Sequence, residues 1–184
     1  NRSTLRRAHV AVMPNHDPLA GGSPFDAMGV RGTAYVSGSF SLSSRDVVAA
    51  RVDLYASGHG DEEFWYSNVP SSFANATGAP GGGAYRELQI FVDGVFAGAA
   101  YPFPVVYSGG VCPLLWRPLA GTHQFNTPPY SFDLAPFLGR LNDGEPHSIA
   151  ASVYGNSANG LWYLDPVLVA THQPGAGPIS GDVN

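Results

Sequence analysis

At 184 residues the chain is long enough for one domain, burying about 70% of the surface its unfolded form exposes. The formal charge is −5, and the nine basic residues are all arginine, with no cluster beyond Arg6-Arg7, which argues against nucleic acid as a partner. No stretch approaches the ~20 apolar residues of a membrane helix, and 23 glycines with 16 prolines favour a turn-rich, all-β design.

Residues 1–32 show little periodicity and are expected to be an irregular linker, with a short strand at 8–13 as its one candidate element. The start at Asn1, without a charged-then-apolar leader, suggests a processed or excised piece. Residues 33–42 (TAYVSGSFSL) and 47–56 (VVAARVDLYA) alternate as strands do, with a turn at 43–46. Residues 70–83, rich in Ser, Gly, Ala and Pro, are expected to form a flexible excursion. YRELQIFV (85–92) is a strand with Leu88, Ile90 and Val92 on one face, and Asp93-Gly94 is a two-residue hairpin turn. YPFPVVY (101–107) is extended, because each proline favours extended geometry in the residue before it. Residues 109–121 form a structured loop carrying Trp116 and Arg117, and a short strand falls around 132–134. Residues 147–154 and 161–171 are expected to pair as a final hairpin, and 173–184 to fray as a tail. Eight or nine short strands with no helix longer than two turns give an antiparallel β-sandwich of the jelly-roll type over residues 33–172.

The chemistry concentrates in SGHGDEEFWYSN, residues 57–68. Two of the four glutamates, Glu62 and Glu63, sit here, preceded by Gly58, His59, Gly60 and Asp61 and followed by Phe64, Trp65 and Tyr66. A strand that bends at glycine would present carboxylates beside flat rings, a combination that grips a sugar at its edge and its face. The alternative is an exposed acidic turn. If 61–65 is extended, neighbours point to opposite faces. Glu63 then shares a face with Trp65, and Glu62 lies opposite. The paired acids of a glycosidase flank one bond, which adjacent strand residues cannot do, so a second acid must come from elsewhere. His59 with Asp61 or Glu63 is the one tight metal-type cluster, and it falls short of the three or four rigidly spaced ligands a zinc site needs. No metal or cofactor is expected. Trp116-Arg117 is a second candidate group, because an arginine in such a loop can hold a carboxylate bidentately. Its alternative is a surface ion pair. Cys112 is alone and closes no disulfide within the chain; it is a buried thiol or pairs with another polypeptide. Asn1 and Asn75 open N-x-Ser/Thr sequons, which would carry glycans in a secretory context.

The motifs of residues 46–169 resemble the peptide-N-glycanase A family. They are EEFWYSN (62–68), YRELQIFVDG (85–94), PFPVVYSGG (102–110), PLLWRPLAG (113–121), PFLGRLNDGEPH (136–147) and WYLDP (162–166), in the family's order and spacing. Bacterial N-glycanase F is distantly similar. Its acid-bearing segment after a Gly/His strand end falls on Glu63, and its Arg/Trp loop falls on Trp116-Arg117 with the two residues in the other order. The resemblance implies a secreted, extracellular or vacuolar amidase that cleaves the N-acetylglucosamine–asparagine amide of N-glycopeptides. It further implies two jelly rolls flanking a cleft, of which this chain matches the second. The first, with the main catalytic aspartate, would be supplied by another domain or chain. Glu63 and Arg117 are then the catalytic candidates, and His59, Asp61, Glu62, Trp65 and Trp116 the substrate-binding ones. The rival readings are a non-catalytic carbohydrate-binding jelly roll and a capsid-like structural sandwich.

Overall fold

The computed structural model describes residues 35–106, 123, 127–157, 160–177, 179–181 and 183, together with the backbone alone of two strands at 6–11 and 29–31. Nine strands are described: β1 (Arg6–Ala11), β2 (Gly29–Arg31), β3 (Tyr35–Phe40), β4 (Val47–His59), β5 (Glu87–Val92), β6 (Val95–Ala100), β7 (Tyr130–Asp133), β8 (His147–Tyr154) and β9 (Leu161–His172). They form two antiparallel sheets. One is ordered β1-β9-β4-β7, with β2 also on β9, and the other β3-β8-β5-β6. This is the jelly-roll sandwich expected from the strand pattern, and most connections between consecutive strands cross from one sheet to the other.

Alternation explains the core. Along β5, Leu88, Ile90 and Val92 are fully buried while Glu87, Gln89 and Phe91 are only half-buried. Along β8, Ile149, Ala151 and Val153 face inward. From the opposing sheet, Val52 and Leu54 of β4, with Trp162, Leu164 and Leu168 of β9, complete one continuous apolar cluster. Period-two patterning therefore places one face of each sheet against the other.

The hairpin between β5 and β6 turns at Asp93 (φ 48°) and Gly94 (φ 75°), both left-handed as a tight two-residue turn requires. The other expected hairpin does not form. β8 pairs with β3 and β5, whereas β9 pairs with β4, β1 and β2 in the opposite sheet. The segment expected to be an irregular linker contributes β1 and β2, both laid on β9. β1 takes Val167–His172 and β2 takes Leu161–Tyr163 of β9. The proline at 166 falls in the break between them, where its missing N–H forfeits no ladder bond on that side.

Two further differences concern loops. Within the expected flexible excursion, Ser71–Thr77 is a helix, α1, closed by Gly78 in the left-handed conformation with its N–H on the Ala74 carbonyl. The expected frayed tail is largely exposed in its described part, but its end touches the body at Gly181 and Val183. Arg140, in the short helix α2 (Leu138–Leu141), donates to the Val183 carbonyl (3.2 Å), and a side chain at Gly139 would collide with the backbone of Gly181. No helix among the described residues is long and apolar enough to cross a membrane.

Candidate functional site

β4 runs straight to His59 and then stops, because Gly60 turns left-handed (φ 59°) and Gly60–Glu62 closes a 3-10 turn with the Glu63 N–H on the Gly60 carbonyl. A second 3-10 turn follows at Trp65–Ser67. The extended geometry expected for 61–65 is thus replaced by two tight turns, and the fates of the two glutamates follow from these turns rather than from strand alternation.

Glu62 goes inward. Its side chain and that of Arg86 are fully buried and form an ion pair. Oε2 accepts hydrogen bonds from Arg86 Nε and from Trp162 Nε1 (2.9 Å). Oε1 accepts from Arg86 Nη2 (2.7 Å), the Ser157 N–H (3.4 Å) and Asn68 Nδ2 (3.5 Å). The remaining Arg86 nitrogen, Nη1, donates to the carbonyls of Tyr85 (2.6 Å) and Gly83 (2.9 Å). Burial pushes the Glu62 carboxyl up; the bonds from Arg86 and Trp162 and the Arg86 charge outweigh it, and the net shift is downward. The buried site stays ionised because it is fully paired. Glu62, expected among the substrate-binding residues, is therefore corrected to an internal anchor, since no part of it reaches the surface.

Two glycines make room for that anchor. A Cβ on Gly58 would sit 2.3 Å from the Glu62 carbonyl oxygen, and one on Gly160 would sit 2.4 Å from Glu62 Cγ. Gly58 is also the register partner of Trp162 on β9, so strand, turn and indole converge at one point.

Glu63 goes outward, into a pocket of about 290 Å³. The end of β4 supplies Ala56, Ser57, Gly58 and His59, and the turn supplies Glu63 and Trp65. The segment after β6 adds Pro102, Phe103 and Val105; Thr127, Tyr130 and Trp162 complete it. The walls are braced. Phe103 stacks on Tyr130 (ring centroids 6.4 Å, 17° between planes), and the Phe103 N–H donates to the Tyr130 hydroxyl (2.8 Å). Burial raises the Tyr130 hydroxyl, which therefore stays protonated. Trp65 packs against Trp162 at 6.3 Å. His59 lies edge-on to Tyr163 (4.5 Å) and shares a hydrogen bond with the Ser57 hydroxyl (2.9 Å). Burial and then the Glu63 charge raise the Tyr66 hydroxyl, which puts that carboxylate's field on the turn as well as on the pocket.

The structure thus brings His59, Glu63 and Trp65 together. Asp61 is exposed and lines a separate depression with Ser71, Ala74 and Ser157. Asn75 is exposed on α1. Asn1, Cys112, Trp116 and Arg117 lie outside the described residues. Sequence reasoning missed Ser57, Phe103, Tyr130 and Trp162 as pocket residues and Arg86 as the partner of Glu62. The motifs YRELQ and WYLDP contained two of them, and nothing local marks which side chain of a motif turns inward. A larger hollow, about 530 Å³, lies on the outer face of the second sheet among Tyr35, Phe91 and five small residues. It is lined by no carboxylate or imidazole, whereas the Glu63 pocket holds both. Among the described residues no three His, Cys, Asp or Glu side chains are grouped to hold a metal ion.

The chain is 40% identical over 122 residues to "Peptide-N4-(N-acetyl-beta-glucosaminyl)asparagine amidase A" of Prunus dulcis. That match covers 65% of this chain and spans 21% of the almond protein's length. The solved structure of PNGF-II superposes on 95% of this chain, and 31% of its own, with a TM-score of 0.50 at 17% identity, a likeness of fold. That of peptide:N-glycanase F covers 97% of this chain and 56% of its own, with a TM-score of 0.49 at 13% identity. Residues 28–166 match the family model described as "Peptide N-acetyl-beta-D-glucosaminyl asparaginase amidase A", and with well over half of its length so matched, the chain belongs to the peptide-N-glycanase A family.

Proposed function

We propose that this jelly roll is one part of a glycoamidase that hydrolyses the amide joining N-acetylglucosamine to asparagine. Water adds to the side-chain carbonyl carbon, and the carbon–nitrogen bond breaks. Aspartate and a glycosylamine leave, and the glycosylamine later loses ammonia. The observation that carries the reading is the pocket itself: one outward carboxylate, Glu63, among the rings of Trp65, Phe103 and Tyr130, in a chain of this family. Flat rings suit the apolar face of a pyranose, and an ionised carboxylate accepts hydrogen bonds from its hydroxyl or amide N–H groups. Glu63 would hold the sugar or the leaving amide, His59 and Ser57 would contribute polar contacts at the rim, and Arg117 would orient the second acid. That acid, an aspartate, would come from another domain or chain, in keeping with the fifth of the almond protein that this chain spans. Two suitably placed carboxylates and positioned water are the means such a reaction needs.

We place the protein in the secretory pathway, outside the cell or in a vacuole, with Asn75 on exposed α1 as a glycan acceptor. The test of function is incubation of the full-length protein with an N-glycopeptide, with mass detection of free glycan and of Asn converted to Asp. Release by the full-length protein and none by residues 1–184 alone is the expected result. Binding of glycan without release would select a carbohydrate-binding module instead.

A further inference from the structure

The acid that touches nothing outside the protein governs the one that does. We propose that Glu62 is the positioning residue of the pocket: held by Arg86, it fixes the turn from which Glu63 projects and the indole of Trp162 that lines the pocket, and so sets their relative placement. The inference rests on the reading of Glu63 as the ligand-facing acid.

The donors around Glu62 support it. Oε1 receives Arg86 Nη2, Asn68 Nδ2 and the Ser157 N–H; Oε2 receives Arg86 Nε and Trp162 Nε1. Neither oxygen faces an acceptor. A glutamine here would put its NH2 group against donors in either orientation, so only an ionised carboxylate satisfies the site. The five donors come from four separate places in the chain. Asn68 follows the turn, Arg86 precedes β5 in the second sheet, Ser157 lies in the β8–β9 connection, and Trp162 lies on β9 in the first sheet. One side chain therefore ties both sheets to the turn.

The link to the pocket is direct on two sides. Glu63 is the next residue, and its N–H closes the 3-10 turn on Gly60, so any rotation of the Glu62 backbone re-aims the Glu63 side chain. Trp162 has one polar atom, Nε1, and Glu62 holds it, while the residue itself lines the pocket and packs on Trp65. Gly58, also a pocket residue, allows no side chain between strand and turn. Shifting the anchor would therefore move floor, wall and carboxylate together, and a misplacement of about 1 Å can cost a hundredfold in rate.

The experiment uses the full-length protein carrying Glu62→Gln, Trp162→Phe or both, and measures melting temperature, kcat and KM with a glycopeptide, and the NMR signals of the Trp162 indole proton and the Glu63 carboxyl carbon. At a temperature 20 °C below each variant's melting point, Glu62→Gln should lower kcat at least tenfold and raise KM at least threefold. Trp162→Phe keeps the ion pair but leaves a core cavity and takes one donor from Glu62 Oε2, so it should melt below the parent and above Glu62→Gln. It should raise KM, and combining the two changes should cost less than the product of the single effects. The Glu63 carbon signal should shift in Glu62→Gln at constant pH. Folded Glu62→Gln with parental kcat and KM would overturn the proposal and leave Glu62 a structural residue only. If Glu62→Gln fails to fold, additivity is judged with Asn68→Ala beside Trp162→Phe, and two silent variants would overturn it equally. If the parent releases no glycan, the proposed function has failed and the NMR signals decide: an unmoved Glu63 carbon and an unmoved indole proton would refute positioning.

Discussion

Replacing Arg86 by methionine removes the charge that keeps Glu62 ionised inside the protein. Arg86 contributes two hydrogen bonds to the carboxylate and satisfies the carbonyls of Gly83 and Tyr85. In Arg86→Met those carbonyls lose their donor, and Glu62 keeps only Trp162, Asn68 and Ser157. Breaking a buried pair from one side costs about 3–5 kcal/mol, which in a domain of this size is roughly 6–20 °C of melting temperature. The loss should depend on pH with a definite sign. In the parent the Glu62 carboxyl is held below its ordinary value, so its stabilisation is fully present above the ordinary carboxylate range and is lost only as pH falls through the lowered value. In the variant burial acts with less opposition and raises the carboxyl. The variant therefore regains stability as pH falls from 7 toward the carboxylate range, by at most about 1.4 kcal/mol per pH unit. Urea unfolding of the full-length protein at pH 7 and at pH 4.5 measures both differences. A double replacement, Glu62→Leu with Arg86→Met, should recover only the part of the loss due to the lone buried charge, because the Gly83 and Tyr85 carbonyls and the donors of Trp162, Asn68 and Ser157 stay unpaired. A loss below about 1 kcal/mol at pH 7, or an equal loss at both pH values, would show that the pair is not the anchor described here.

Three other outcomes are expected. Glu63→Gln should lower glycan release roughly 10- to 150-fold, equivalent to about 1.5–3 kcal/mol for a charge-assisted hydrogen bond, with the melting temperature unchanged; equal loss of both would mean Glu63 supports the fold. Gly58→Ala should destabilise by about 1–3 kcal/mol and also slow the reaction, because the new Cβ meets backbone atoms of the Glu62 turn and the turn must shift; thermal melts and a release assay on the same sample check it. Gly94→Ala should cost about 1–2 kcal/mol through its positive φ of 75° and leave release unaffected, since the turn lines the outer hollow and not the Glu63 pocket.

What was legible in the sequence was whatever a short window contains. The inward faces of β5 and β8 follow from Leu88, Ile90 and Val92 and from Ile149, Ala151 and Val153 by alternation alone. The turn at Asp93-Gly94 follows from two residues that tolerate positive φ. The pairing of β8 with β9 was misjudged because a Gly- and Asn-rich connection looks the same whether it returns a strand to its neighbour or carries it across the sandwich. Strand β1 is legible as the candidate strand at 8–13, but its place in the sheet is not, because its partner, Val167–His172 on β9, is remote in sequence. Arg86 was passed over because its partner lies 24 residues away and Trp162 lies 100 residues from the same carboxylate. Distance along the chain conceals such contacts even when every participant belongs to a recognisable motif.

The two adjacent glutamates show why composition and spacing could reach the site without describing it. As neighbours on a strand they would have diverged by pleat, and the outward residue would have been a matter of register. On a 3-10 turn they diverge because the local environment is unequal. Inward of the turn, Gly58 and Gly160 leave a space, and Arg86, Asn68, Ser157 and Trp162 fill its rim with donors only. A carboxylate is drawn into that space because its two oxygens can satisfy all of them, whereas outward lies a pocket that holds Ser57 and His59 among aromatic rings. The same functional group thus serves at one position as the counter-charge of the core and at the next as the group offered to a ligand. What separates them is where each ends up, Glu62 fully buried among donors and Glu63 on the wall of an open pocket, a property of the folded sheets rather than of the sequence GDEEF.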